Sequence, residues 1–183
     1  MRPPSRSMSK YRPPPLGLAG KLALAALIVG IAYAAVHATP LQLLAAAAAV
    51  AALMLWARLG GWASVRRLRA MAAARPDDSI CTFARGFDCR AVDTWVIRAV
   101  YEELQAGLAP AVSRFPLRAS DTLRGDLDIE ADDLDLDLVP AIAARAGRSL
   151  DGAERNPHRE EVTTVGGLVR FMAAQPRATA SQD

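Results

Sequence analysis

Two apolar runs, Leu22–Val36 and Leu41–Ala57, stand with only His37, Ala38, Thr39 and Pro40 between them. The first is uninterrupted and reaches about 20 residues once Lys21 and His37 extend to the interface, enough to cross a bilayer as a helix. The second is broken only by Gln42 and ends at Arg58. Neither run has a polar face, which suits lipid better than the core of a small soluble domain. A connection this short predicts a tight antiparallel helical hairpin. A secretory signal peptide is the competing reading of the first run. Its leading region is basic, but also long and Pro-rich, and a second span follows at once.

The charges divide the chain at the same place. Residues 1–75 carry ten Lys or Arg and no acid, whereas residues 76–183 carry twelve Arg against nineteen acids, leaving the whole at +3. The pI near 9.2 is no argument for a nucleic-acid partner, because the basic part is the hydrophobic part rather than a soluble face. Arg2, Arg6, Lys10, Arg12 and Lys21 precede the first run, and Arg58, Arg66, Arg67, Arg69 and Arg75 follow the second. By the positive-inside rule this predicts a multi-pass protein of a cell inner membrane with both termini cytoplasmic. Trp56 and Trp62 fall at headgroup level. Small residues such as Gly30, Ala34, Ala35 and Ala45–Ala49 permit close helix packing. No ionisable side chain lies at mid-membrane depth, so the spans read as an anchor rather than a proton path.

Beyond the spans, Ser64 to Arg75 reads as a juxtamembrane helix with Val65, Leu68 and Met71 on one side and Arg66, Arg67 and Arg69 toward the other, suited to anionic lipid. Arg75-Pro-Asp-Asp-Ser79 breaks it. The expected organisation is a basic Pro-rich tail over 1–20, spans over 21–59, a basic juxtamembrane segment over 60–78, a helical domain over 79–176 and a disordered tail over 177–183. Cys81 and Cys89 lack a second cysteine pair or nearby histidines, so they read as free thiols rather than a metal site. Asp93 or Thr94 caps a helix to Leu108 carrying Val96, Val100, Leu104 and Leu108 at helical spacing. Val139 to Gly147 is a second helix with Gly147 as its C-cap. Thr163 or Thr164 caps a last helix, Val165 to Ala174, which presents Leu168, Phe171 and Met172.

Between the first two helices lies a strongly acidic run. Seven of the twelve residues from Asp126 to Asp137 are Asp or Glu, and the rest are Leu, Ile or Ala. Leu134, Leu136 and Leu138 alternate as in a strand, while Leu134, Leu138 and Ile142 make a helical stripe. Pro140 opposes a helix interior at a cost of about 3 kcal/mol. Helix is the favoured reading.

The segment from Thr122 to Leu138, with Asp132-Asp133-Leu134 at its centre, resembles the acyl carrier protein signature in which a "DLG…DSLD" stretch opens the second helix. Thr163-Thr-Val-Gly-Gly-Leu-Val-Arg-Phe-Met172 is similar to that family's opening of the last helix. The resemblance spans Asp93 to Gln175 and looks closest to a bacterial branch that lacks the attachment serine. It implies a small acyl-carrier-like helical bundle, which together with the transmembrane hairpin read from the apolar runs gives an all-α fold. Family members attach phosphopantetheine to the serine of Asp-Ser-Leu. Here that position holds Asp133, between Asp132 and Leu134; a carboxylate cannot form the phosphodiester and would repel the phosphate. The resemblance therefore implies shape without cargo and no cofactor.

Three readings of the acidic run follow. One is a docking face for a basic-surfaced protein, made by Asp126, Asp128, Glu130, Asp132, Asp133, Asp135 and Asp137. The second is calcium binding, with Asp126, Asp128, Glu130, Asp132 and Asp137 on EF-hand positions 1, 3, 5, 7 and 12. Against it, Ala131 stands where the loop needs Gly. The third is a solvated acidic face without a partner. No phosphate loop, HExxH or GxSxG supports an enzyme, and His158 reads as a loop residue. The expected function is non-catalytic interaction or scaffolding at a lipid bilayer. The alternative is a membrane-tethered acyl or group carrier in lipid or fatty-acid metabolism. Partner identity, pathway and oligomeric state are not encoded in any motif.

Overall fold

The computed structural model describes residues 4–8, 11, 15 and 17–178, with backbone alone at Arg6 and 57–60. Arg2, Lys10 and Arg12, the side chains of Arg6 and Arg58, and the tail beyond residue 178 lie outside the described residues. Among the described residues the chain is helical, with no strand beyond two isolated antiparallel bridges. The all-α class expected from the sequence is the one observed. The chain divides into two units, residues 12–63 and residues 1–11 with 64–183.

The first unit holds α1, Leu18–His37, and the opening of α2, Pro40–Ala73. Both are long and apolar enough to cross a membrane, with mean hydropathy of 2.0 and 1.9. The break between them has a local cause. Thr39 N–H donates to Gln42 Oε1 at 2.9 Å and Gln42 N–H to Thr39 Oγ1 at 3.4 Å, a reciprocal capping box around Pro40 in the first helical turn. α1 buries no residue, and no part of the apolar stretch of either helix is buried.

α2 does not end near Arg58 but continues to Ala73. Leu68 is 4% exposed and joins the core of the second unit, with Met71 and Ala72 packed against it. The compact unit that holds the helical bundle thus includes the chain from Ser64 onward. The apolar side of the expected juxtamembrane helix faces protein. Arg69 Nε donates to the Ala111 carbonyl at 3.3 Å, and Arg67 lies 3.6 Å from Asp128. Met8, within the segment expected as a basic Pro-rich tail, also packs against this core.

Within the second unit, α4 (Thr94–Leu108) is the central helix, packed against α3 (Ile80–Arg85), α6 (Val139–Ala146) and α7 (Val165–Ala174). Asp93 caps α4 by accepting Trp95 N–H at 2.9 Å. The stripe Val96, Val100, Leu104 and Leu108 is buried as its spacing requires. Buried Arg145 of α6 clasps α4 through Glu102 and, at 2.6 Å, Glu103. Gly147 ends α6 at φ 63°, a left-handed conformation that glycine adopts without penalty. The segment expected as a disordered tail starts in order: Arg177 bridges to Arg148, and Ala178 N–H donates to the Gly147 carbonyl at 3.0 Å.

α7 starts where its sequence says. Thr164 Oγ1 accepts Gly167 N–H at 3.0 Å. The two glycines that follow allow a backbone approach. Gly166 N–H reaches the Ala119 carbonyl at 2.8 Å, and a Cβ on Gly167 would stand 1.7 Å from the Glu161 carbonyl oxygen. Overpacking against fixed backbone has no cheap relief. Gly167→Ala is therefore expected to cost at least about 2 kcal/mol, a melting-temperature fall of roughly 8 °C or more for a unit of this size. Thermal unfolding followed by circular dichroism checks it, and an unchanged transition would contradict the close approach.

Candidate functional site

The acidic run divides into a folded loop and an exposed helix face. Leu123 and Leu127 are buried and fasten the loop to the core. Leu123 N–H donates to the Thr163 carbonyl at 2.9 Å, beside the Thr122–Thr164 bridge, so the loop is tied to the start of α7. Asp126 turns back on it. Its Oδ2 accepts both the N–H and the Oγ1–H of Thr122 at 2.8 Å, while Asp126 N–H donates to Thr122 Oγ1 at 2.9 Å. The backbone N–H of Thr122 first, and its hydroxyl second, hold the Asp126 carboxyl below the usual carboxylate range. Asp126 is thus engaged in holding the loop.

Asp128 makes the turn at φ 59°, a left-handed position that Asp tolerates better than most side chains. Its only described ion pair is with Arg67, and Glu130 lies 3.5 Å from Arg124; all four side chains are exposed, so these contacts hold little energy. Glu130 has extended backbone and opens the helix at α5, Ala131–Asp133. Asp132 and Asp133 occupy its first turn, where the positive end of the helix dipole favours negative charge.

A π-helical turn, Leu134–Leu138, then joins α5 to α6. Val139 N–H bonds the Leu134 carbonyl, five residues back. Pro140 has no N–H to give and its ring crowds the carbonyl four residues earlier, so a widened turn lets the helix continue across it. The helix reading of this stretch is the one observed. Leu134 and Leu138 pack against the core and Ile142 is fully buried, whereas Leu136 is 76% exposed. A strand would have placed all three leucines of the alternation on one side.

The outcome is a face carrying Asp132, Asp133, Asp135 and Asp137 around exposed Leu136. No ion pair neutralises these four carboxylates among the described residues. Of the seven acids expected on one face, the structure keeps four on the helix; Asp128 and Glu130 lie on the approach to it, and Asp126 is withdrawn into the loop. Leu136 was not among the expected residues. Its position was readable by elimination, because the stripe of Leu134, Leu138 and Ile142 leaves it on the outside.

The five EF-hand positions are split between this loop and the helix. Among the described residues, no three His, Cys, Asp or Glu side chains are grouped to hold a metal ion. Cys81 and Cys89 are exposed free thiols. His158 Nδ1 lies 3.0 Å from Glu161 Oε1, and Arg170 Nε donates to Glu161 Oε2 at 2.7 Å, placing His158 in a surface ion cluster. No protein-family model, curated protein or solved structure matches the chain.

The Asp126–Thr122 clasp has a pH signature. Because folding lowers the Asp126 pKa from its ordinary 3.8, its contribution is fully present above that value and is lost as pH falls through the lower folded value. Asp126→Asn is expected to cost about 1 kcal/mol at pH 7. That difference should shrink as pH falls below the ordinary value through the acid range, as read from urea unfolding. A difference independent of pH would contradict the assignment.

Proposed function

We propose that the globular unit is an acyl-carrier-like domain without carrier chemistry, a module that docks a protein bearing a basic surface and an apolar pocket. The observation that carries this reading is Leu136, exposed among Asp132, Asp133, Asp135 and Asp137. An exposed leucine ringed by carboxylates is poor design for solubility alone but suits recognition: the apolar side chain supplies desolvation energy and the charges supply orientation. The two apolar helices would display this module on the cytoplasmic side of a cell inner membrane, as the cations flanking both spans favour. Interaction with lipid or fatty-acyl enzymes follows from the family likeness and from no other feature.

The order of helices, the Thr164 cap and the paired glycines at the head of α7 support the likeness. Asp133 is exposed in the first turn of its helix, where family members carry the modified serine. Long-range attraction from four carboxylates would raise association rates at low salt, with Leu136 governing dissociation.

The test is capture from detergent extracts with the full chain as bait. Asp132→Asn/Asp135→Asn/Asp137→Asn should weaken capture of a specific partner more than tenfold at low salt, and Leu136→Ala should shorten the life of the complex. Partners retained undiminished by both variants would exclude the face. A mass gain of one phosphopantetheine group after treatment with a phosphopantetheinyl transferase would instead establish carrier chemistry.

A further inference from the structure

Away from the acidic face, three arginines from separate segments edge one recess of about 420 Å³. Arg90 comes from the turn after α3, Arg148 from the segment after the Gly147 cap, and Arg177 from the residues after α7. Asp93, Trp95 and Cys89 complete the part that matters here. Such convergence runs against the composition, because residues 76–183 hold nineteen acids and twelve arginines.

The backbone brings two of these cations together. Ser149 N–H donates to the Pro176 carbonyl at 2.8 Å, and Ala178 N–H to the Gly147 carbonyl at 3.0 Å. These bonds flank the antiparallel Arg148–Arg177 bridge and make it a non-hydrogen-bonded pair. In pairs of that kind the Cα atoms come to about 4.5 Å and the side chains stand closest. Like charges directly opposite each other are destabilising there. Nothing in the bridge itself requires arginine at either position, since its bonds are all backbone.

The counter-charge inside the recess is small. Arg148 has a side chain only 10% exposed; its Nη1 donates to the Gln175 carbonyl at 2.8 Å and its Nη2 reaches Asp93 Oδ2 at 3.3 Å. Asp93 Oδ1 is also the cap of α4. The side chains of Arg90 and Arg177 are exposed and make no ion pair among the described residues. The lining residues carry three guanidiniums against one carboxylate, while Asp88, just outside the lining, accepts the Arg90 backbone N–H through Oδ1 at 2.9 Å.

We propose that this recess binds a phosphate group, either free or as the phosphomonoester of a lipid headgroup. A phosphomonoester carries about −1.5 to −2 charge near neutrality, which suits the excess of cations in the lining. Guanidinium forks fit phosphate oxygens in pairs, and a recess of several hundred Å³ leaves room for whatever the phosphate is attached to. The anion would sit between Arg90 and Arg177, with Arg148 fixed behind them by its bonds to Asp93 and Gln175. This site is independent of the docking face and would hold whether or not the domain is acyl-carrier-like.

The full chain in a neutral detergent provides the test, with unfolding temperature as readout. Inorganic phosphate is titrated in one arm and dioctanoyl phosphatidic acid in the other, against chloride at matched ionic strength and dioctanoyl phosphatidylcholine. At least one arm should give a saturable rise, about 5 °C or more well above the dissociation constant. A rise with both assigns the phosphate group alone, and a rise with one identifies the source. The double variant Arg90→Gln/Arg177→Gln should abolish it, whereas Arg124→Gln, at an exposed site elsewhere, should keep it. In phosphate-free buffer of low salt, Arg177→Gln should melt higher than the parent because repulsion from Arg148 is relieved; this also shows that the variant folds. No rise in either arm, a rise retained by the double variant, or a lower melting point for Arg177→Gln without phosphate would each overturn the proposal.

Discussion

Asp121 is 2% exposed, and its carboxylate receives Arg75 Nη1 at 2.8 and 3.0 Å and the backbone N–H of Arg118 at 2.8 Å. Its own carbonyl accepts Val165 N–H at 2.9 Å. One residue thereby joins the segment just past α2, the loop ahead of the acidic run and the first turn of α7. A buried carboxylate is tolerable only when its charge is paired and its lone pairs are bonded. Each of these three segments consequently has a single permitted position relative to the others. The Thr122–Thr164 bridge and the Asp126–Thr122 clasp begin at the next residue and inherit that position.

Fixing the loop fixes where the acidic helix begins. Leu123 and Leu127 enter the core, Asp128 turns the chain, and the helix opens at Ala131 with its acids in the first turn. The π turn then resolves a conflict between an inward Leu134–Leu138–Ile142 stripe and a proline that an α-helix would reject. Leu136 and four carboxylates remain outside. The same bundle brings three arginines, Arg90, Arg148 and Arg177, to one recess at the junction of three segments, beside the Arg148–Arg177 bridge. Four carboxylates and three arginines thus stand at two separate places, each on backbone held by bonds to the core or between segments.

What the sequence disclosed depends on the range of the cause. Helices α4 and α7 were readable because caps and 3.6-residue stripes are local: Asp93, Thr164, Val96, Val100, Leu168 and Met172 act within a few positions of themselves. The break at Thr39 was readable as a turn for the same reason. Leu68 showed an apolar side but not what it faced, since lipid and protein ask for the same pattern. Arg75 and Asp121 are 46 residues apart, and no local rule marks one aspartate of a rich supply as the buried one. The Arg148–Arg177 bridge also needed the folded chain to bring its halves together. In the acidic run, composition marked the candidate face, while only the helix geometry separated Asp126 from Asp132–Asp137 and singled out Leu136.

The Arg75–Asp121 pair holds the frame from which the acidic face projects. A double-mutant cycle with Arg75→Met and Asp121→Asn, read by equilibrium unfolding, tests it directly. Each single change should cost about 3–5 kcal/mol, and the double variant little more than either alone, because a buried charge left without its partner is the main penalty. Single losses below about 1 kcal/mol, or losses that simply add, would contradict it.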